Sequence, residues 1–293
     1  MDLSTVDVNL TKIFFPLTAN PTGYNHLLLA ENVLWQFPET QLLVFILSNG
    51  RHPDPFKDIQ IPHASFRYEI LRSALLEWPD SEKSIPAKYA DESGILLKLG
   101  RNNCTISRWE LSFGRPLRIA DQVQYFSKGN KISLIVGADL IQRMLDPRIF
   151  TDKDLSQIES GCLMIVAPRD NINLNQTLKL IKQKRGVTLT ILKINQSVLP
   201  KKIQKFYQIS STHIRKATQA GHSLESFLPV NTALYISQNC LYNRRKYKND
   251  TNSSHLNEHQ HSCFELKEQL EKAAIRLQKY LSQRAKNIKH SDP

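Results

Sequence analysis

The chain has 293 residues, 41% of them hydrophobic and 23% charged, and its 39 Lys and Arg against 27 Asp and Glu leave a net charge of +12. That apolar share builds a sizeable core in one large or two small domains, which excludes general disorder, a collagen-like repeat and a disulfide framework. No run reaches the roughly 20 apolar residues of a membrane span, and the acidic start MDLSTVDVNLTK lacks the apolar stretch of a secretory signal. Cys104, Cys162, Cys240 and Cys263 lie far apart without a C-x-x-C pair and read as reduced thiols of a cytoplasmic protein.

Along the chain, Lys12–Leu17 (KIFFPL) is a short apolar run and predicts a buried strand. A turn at Asn20-Pro21-Thr22-Gly23 leads into HLLLAENVLWQF, whose Leu27, Leu28, Ala30, Leu34 and Trp35 recur at helical spacing. Gln41–Ser48 predicts a second buried strand, closed by Asn49-Gly50 and a Pro-rich loop, and Ser65–Trp78 an amphipathic helix with Ser65 as its cap. Gly94–Leu99 and Thr105–Leu111 are expected to be strands and Ala120–Phe126 a helix. Lys131–Val136 is a strand running into Gly137-Ala138-Asp139, followed by a helix at Asp152–Ile158, a strand at Gly161–Ala167, a helix at Leu174–Lys184 and a strand at Val187–Ile194. Apolar strands alternating with amphipathic helices predict an α/β fold: a doubly wound, Rossmann-like parallel sheet covered on both faces, over residues 1–243.

Beyond it, residues 244–262 read as a polar, basic linker rich in Asn, Ser and His. Residues 263–286 read as an amphipathic helix carrying Leu266, Leu270, Ala273, Leu277 and Tyr280, with a tail at 287–293. Residues 244–293 hold 11 Lys and Arg against 6 Asp and Glu. A basic surface suits an anionic partner, whether nucleic acid, acidic lipid or a phosphorylated small molecule. Nucleic acid is disfavoured because the chain has no aromatic-rich basic motif and no zinc pattern. His255, His259 and His261 have no paired cysteines, so no metal site is expected of them.

In an open parallel sheet, ligands bind beyond the carboxyl ends of the strands where strand order reverses. The first strand-to-helix turn, Thr18 to His26, is therefore a candidate phosphate site, since a helix start offers N–H groups and a positive dipole end. His26 can face a phosphate there or cap and pack its helix. Near the end of the domain, Ile209-Ser210-Ser211-Thr212-His213-Ile214-Arg215 sets hydroxyls before a helix and a guanidinium one turn in. Those groups can cap the helix or hold phosphate oxygens.

Together these two segments resemble the nicotinate/nicotinamide mononucleotide adenylyltransferases of the HxGH nucleotidyltransferase superfamily. ISSTHIR resembles the ISSTxIR signature, and Asn20-Pro21 through His26-Leu27 the first turn and helix. Ser48-Asn49-Gly50-Arg51-His52-Pro53 with Lys57 resembles the substrate loop, and Ala64–Leu71, with Arg67 and Glu69, the helix after it. Gly137-Ala138-Asp139 matches the GAD element, and Phe227-Leu228-Pro229 through Leu241-Tyr242 the closing helix.

The resemblance implies adenylyl transfer from ATP to nicotinamide or nicotinate mononucleotide, with pyrophosphate released and Mg2+ arriving on the triphosphate. It implies His26 and Arg215 as catalytic residues. Thr18, Ala19, Asn25, His26, Gly137, Asp139, Ser211, Thr212 and Arg215 would bind ATP, and Asn49, Arg51, Lys57 and Trp109 the mononucleotide. No resident metal site and no membrane partner are implied, and a homo-oligomer stays open. Departures stand beside the matches: Gly23 replaces the first histidine of HxGH, Asn25 its glycine, and Pro16-Leu17 a glycine pair. Losing one preorganised phosphate donor costs roughly 2–4 kcal/mol of transition-state stabilisation unless Lys12, Asn25 or another group takes its place. A nucleotide-binding or regulatory protein without turnover, or an ATP hydrolase or transferase with another phosphorylated acceptor, is the alternative.

Overall fold

In a computed structural model of the chain, residues 10–49, 61–100, 102–113, 115, 117–169 and 172–242 are described. In chain order these form β1 (Lys12–Leu17), α1 (Tyr24–Gln36), β2 (Leu42–Leu47), α2 (Ala64–Glu77), α3 (Ile85–Glu92), β3 (Cys104–Ser107), α4 (Ile119–Ser127) and β4 (Ile132–Gly137). There follow α5 (Ala138–Arg143), α6 (Asp152–Gly161), β5 (Cys162–Ala167), α7 (Leu174–Arg185), β6 (Thr190–Lys193), α8 (Lys201–Gln204), α9 (Ser211–Gln219) and α10 (Val230–Gln238). The six strands form one parallel sheet in the order β3-β2-β1-β4-β5-β6. The chain divides into a compact unit of residues 1–233, which holds the sheet, and a second of residues 234–293.

Alternation along the strands sends neighbouring side chains into two separate cores. Ile13, Phe15 and Leu17 of β1, with Leu43, Phe45 and Leu47 of β2, pack under α1 and α2. Phe14, Val44, Ile46, Leu134 and Met164 pack on the opposite face, under α4, α5, α6 and α7. A strand buried on both faces must be apolar at nearly every position, which is why KIFFPL, QLLVFILS and GCLMIVA read as unbroken runs. The first two connections cross on one face and the later ones on the other, so the winding reverses between β1 and β4.

Several local expectations are corrected. Ser65 lies inside α2; the N-cap is His63, whose ring nitrogen accepts from the Ser65 backbone N–H at 3.4 Å. Gly94–Leu99 is not a strand. Its end is pinned instead by Glu31, fully buried in α1, whose carboxylate accepts from the backbone N–H of Lys98 at 2.6 Å and Leu99 at 2.8 Å and from the indoles of Trp35 and Trp78. A carboxylate with four donors outcompetes a ladder at a sheet edge. Thr105–Leu111 splits into the short β3 and a 3-10 turn at Trp109–Phe113, and Val187–Ile194 shortens to β6. The linker, C-terminal helix and tail expected at 244–293 lie outside the described residues.

Candidate functional site

β1 and β4 pair in register at Ile13–Ser133 and Phe14–Leu134. The Leu17 carbonyl accepts from Ser48 N–H on the β2 side, so alternation turns Pro16 toward β4, where it has no N–H to give. Beyond this point a cavity of about 380 Å3 opens at the carboxyl ends of the central strands. Pro16 thus sits in the strand and helps end the ladder where the ligand crevice of a doubly wound sheet is expected.

One wall is the turn into α1. Thr18, Ala19, Asn20, Asn25 and His26 line the cavity. His26 Nδ1 accepts from Gly23 N–H at 3.2 Å, so the neutral ring carries its proton on Nε2. Burial, and next the Arg169 guanidinium, lower its pKa to about 4, so His26 is an uncharged donor at neutral pH. The N–H groups of Gly23, Tyr24 and His26 are already bonded, to His26, the Phe227 carbonyl and the Gly23 carbonyl respectively. The expectation of free backbone donors at this helix start is therefore corrected for those three groups. Ala19 lies in the left-handed region at φ 52. Asn20 Oδ1, Thr22 Oγ1 and Asn25 Oδ1 are buried without a partner among the described residues. Buried polar atoms of this kind carry a desolvation penalty that a ligand's donors can relieve.

Gly23 is held by sterics. A Cβ there would stand 2.5 Å from Ile214 Cδ1 and 3.0 Å from Asn25 Oδ1. The departure from the resembled pattern is thus matched by the packing of α9 against the turn.

The opposite wall is the start of α9. Ser210 caps it by accepting from His213 N–H at 3.1 Å. Ser211 Oγ donates to the Pro21 carbonyl at 2.8 Å, and Arg215 donates to the Asn20 carbonyl at 2.6 Å and to Thr212 Oγ1 at 3.0 Å. Ser211, Thr212 and Arg215 all line the cavity. The residues read from sequence as phosphate ligands also fasten the two helix starts to each other.

Gly137, the last residue of β4, and Asp139, in the first turn of α5, form the floor with Arg169, whose Nε lies 4.0 Å from Asp139 Oδ1. Both side chains are about half exposed, so this pair is weak and free to rearrange around a ligand. A Cβ at Gly137 would meet Asp139 Oδ1 at 2.3 Å, so glycine there lets the carboxylate fold back. Two guanidiniums, a neutral imidazole donor and several hydroxyls and amides against one carboxylate suit an anion with many oxygens.

The structure therefore brings Thr18, Ala19, Asn25, His26, Gly137, Asp139, Ser211, Thr212 and Arg215 to one cavity. Trp109 and Asn49 do not line it. Trp109 packs on Phe113, Tyr125 and Phe126, which is an aromatic cluster on the other core, while the Asn49 backbone N–H donates to Glu110 at 2.9 Å. Arg51 and Lys57 lie outside the described residues. Lys12 cannot replace the missing histidine, because it opens β1 at the end away from the cavity, with Nζ 5.1 Å over the Phe14 ring. Arg169 and Tyr207 also line the cavity; the sequence assigned neither a binding role, and Arg169 entered only in Val166-Ala167-Pro168-Arg169, a segment that resembles a strand end of the family. Arg169 follows a strand that winding brings beside β4, and Tyr207 sits in a single 3-10 turn, Lys205–Gln208, too short to carry a periodic signal.

No family model matches the chain. It is 26% identical over 226 residues, 77% of this chain and 93% of the relative, to a protein of Synechococcus sp. (strain JA-2-3B'a(2-13)) named "Probable nicotinate-nucleotide adenylyltransferase". It is 30% identical over 117 residues, 39% of this chain and 27% of the relative, to nicotinamide/nicotinic acid mononucleotide adenylyltransferase 2 of Saccharomyces cerevisiae. Among solved structures, the Plasmodium falciparum nicotinic acid mononucleotide adenylyltransferase complexed with NaAD aligns over 79% of this chain and 96% of its own, at 17% identity and a TM-score of 0.47. The same enzyme complexed with APC aligns at 14% identity and a TM-score of 0.46. The likeness to the cyanobacterial relative runs over nearly that protein's whole length, and the ISSTHIR segment opens α9 at the cavity.

Proposed function

We propose that this protein transfers the adenylyl group of ATP to a pyridine mononucleotide, nicotinate or nicotinamide, as a step that makes a dinucleotide of the NAD type. A phosphate oxygen of the mononucleotide attacks the α-phosphorus, the bond from that phosphorus to the oxygen bridging to the β-phosphate breaks, and pyrophosphate leaves with the electron pair. No covalent enzyme intermediate is required, so catalysis rests on positioning and on charge stabilisation. His26 supplies an uncharged N–H donor, and Arg215 with Ser211 and Thr212 supplies charge and hydroxyls to the triphosphate.

Asp139 is the one carboxylate among the described residues lining the cavity, and no group of three His, Cys, Asp or Glu stands ready to hold a metal among them. That donor set fits Mg2+ held mainly by phosphate oxygens and water, where it would neutralise charge on the triphosphate. No helix among the described residues is long and apolar enough to cross a membrane.

The observation that carries this reading is the convergence of His26 and Arg215, 189 positions apart in the chain, on a single cavity at the strand-order reversal. Its test is incubation with ATP, Mg2+ and each mononucleotide, following pyrophosphate and dinucleotide. Product formation is expected with at least one acceptor. Absence of product with both, in protein that binds no ATP, overturns it. The packed Gly23 and the altered turn favour one second reading, nucleotide binding without turnover, which predicts ATP binding by calorimetry and no product with either acceptor.

A further inference from the structure

The chain leaves β2 at Ser48 and Asn49 and returns toward α2 through Ile61, which lines the cavity, and Pro62. Between these two strands of chain, four positions into α2, lies Arg67, 1% exposed. Its Nε donates to the Pro62 carbonyl at 3.0 Å, and its Nη1 to the Thr18 carbonyl at 2.7 Å and the Ser48 carbonyl at 2.8 Å. Three segments, none adjacent to another in sequence, are thereby tied to one guanidinium. Glu110, also 1% exposed, completes the arrangement from the other side of the same stem. Its carboxylate accepts from Asn49 N–H at 2.9 Å, Leu117 N–H at 3.3 Å and Gln122 Nε2 at 3.0 Å, and it is electrostatically coupled to Arg67.

A buried guanidinium is an expensive way to fill space, since apolar side chains of similar volume are often as stabilising or more so. What a fork of donors provides and hydrocarbon cannot is a fixed geometry among the carbonyls it binds. Here those carbonyls belong to the turn that carries His26, to Ser48 just after β2 and to Pro62 just before α2. We propose that Arg67 is a positioning residue of the transfer site: it fixes the ATP-side turn at Thr18 relative to the Ser48–Asn49 stem, so that the two substrates meet in register. This inference rests on the proposed adenylyl transfer. Misplacement of reacting groups by about 1 Å is enough for a hundredfold loss, so loosening this tie is read in kinetics rather than in folding alone.

The chain supplies its own control. Arg185 is likewise buried, its side chain 7% exposed, and ties the carbonyls of Met144 at 3.0 Å and Phe150 at 2.7 Å, but on α7 and away from the cavity. Arg67→Met, Arg67→Lys and Arg185→Met are compared with wild type, well below their melting midpoints, for mononucleotide Kd by calorimetry and for kcat per folded molecule. Arg67→Met is expected to weaken mononucleotide binding and lower kcat by about tenfold or more each. Arg67→Lys recovers part of both, because an ammonium reaches some of the three carbonyls but not all. Arg185→Met lowers the melting midpoint and leaves both readouts at wild-type values. Should Arg67→Met fail to fold, Arg67→Lys carries the test with a partial loss. Wild-type Kd and kcat in the Arg67 variants, or an equal change in Arg185→Met, overturn the positioning role while leaving adenylyl transfer intact. A wild-type protein that binds neither nucleotide overturns adenylyl transfer and the positioning role with it.

Discussion

The two helix starts that face the cavity are built in opposite ways. The α9 start is self-sufficient: Ser210 caps it, and Ser211 and Arg215 reach across to bind the carbonyls of Pro21 and Asn20. The α1 start borrows its stability from elsewhere, taking a carbonyl from Phe227, closing Gly23 N–H on the His26 ring, and packing Gly23 against Ile214. It also carries the buried, unpartnered oxygens of Asn20, Thr22 and Asn25 and the left-handed Ala19. Strain and unsatisfied polar atoms concentrate on the side where sequence departs from the family pattern, and the intact signature is what holds that side in place.

The contrast breaks most severely at Arg215. Arg215→Ala removes a guanidinium from the cavity and the tie to the Asn20 carbonyl together, so kcat for dinucleotide formation should fall by about 10²–10³, the cost of one preorganised charge-stabilising donor. A steady-state assay at saturating substrates decides it. A fall of less than tenfold would mean that the α9 start does not act on the transferring group.

The α1 start is sharpened by pH. Because the folded-state pKa of His26 is lowered to about 4 from an ordinary 6.5, the native state favours the neutral ring. Its contribution is fully present above pH 6.5 and is lost as pH falls from 6.5 toward 4, by up to roughly 3 kcal/mol. His26→Asn removes that titration, so denaturant unfolding at a series of pH values should give a shallower decline for the variant across this window. Equal slopes in both proteins would show that the imidazole is solvated rather than buried behind the turn.

Much of this was legible in the sequence, for identifiable reasons. The strands announce themselves because both of their faces are buried, and Ser211 through Arg215 because hydroxyls and an arginine at a helix start form a compact local signature. The ties made by Glu31 and Arg67 were opaque, although Arg67 stood in a helix that resembles the family's. Each works through backbone groups of segments far away in sequence, Glu31 on Lys98 and Leu99, Arg67 on Thr18, Ser48 and Pro62, and no local spacing encodes such partners. Trp109 is the converse case, placed outside the cavity. An aromatic beside a strand end invites a stacking role, and in the structure Trp109 packs on the rings of Phe113, Tyr125 and Phe126.

The packing of Gly23 makes a third, smaller test. Gly23→Ala puts a Cβ 2.5 Å from Ile214 Cδ1, in a region where Ile214 is fully buried, so overpacking should cost about 1–3 kcal/mol. Ile214→Val removes the clashing methyl, and the double variant should recover a large share of the loss beyond additivity. Purely additive effects in urea unfolding would show that the turn relaxes away from α9 and that the two starts are not sterically coupled.

The smallest effect belongs to Ala19. A β-carbon in the left-handed region costs about 1 kcal/mol through its approach to the following carbonyl, and glycine adopts that region freely at the cost of a more disordered unfolded chain. The two terms oppose each other, and the strain is the larger because φ at Ala19 is 52, within the left-handed well. Ala19→Gly should therefore stabilise the protein by up to about 0.5 kcal/mol, raising the melting midpoint by one or two degrees. The activity should move the other way if at all, since Ala19 is 2% exposed at the cavity wall and a methyl-free backbone loosens the turn on which His26 is mounted. A gain in stability with unchanged kcat would assign the strain to the turn's geometry alone. A gain in stability with reduced kcat would show that the α1 start holds its histidine by the same strained backbone that destabilises it.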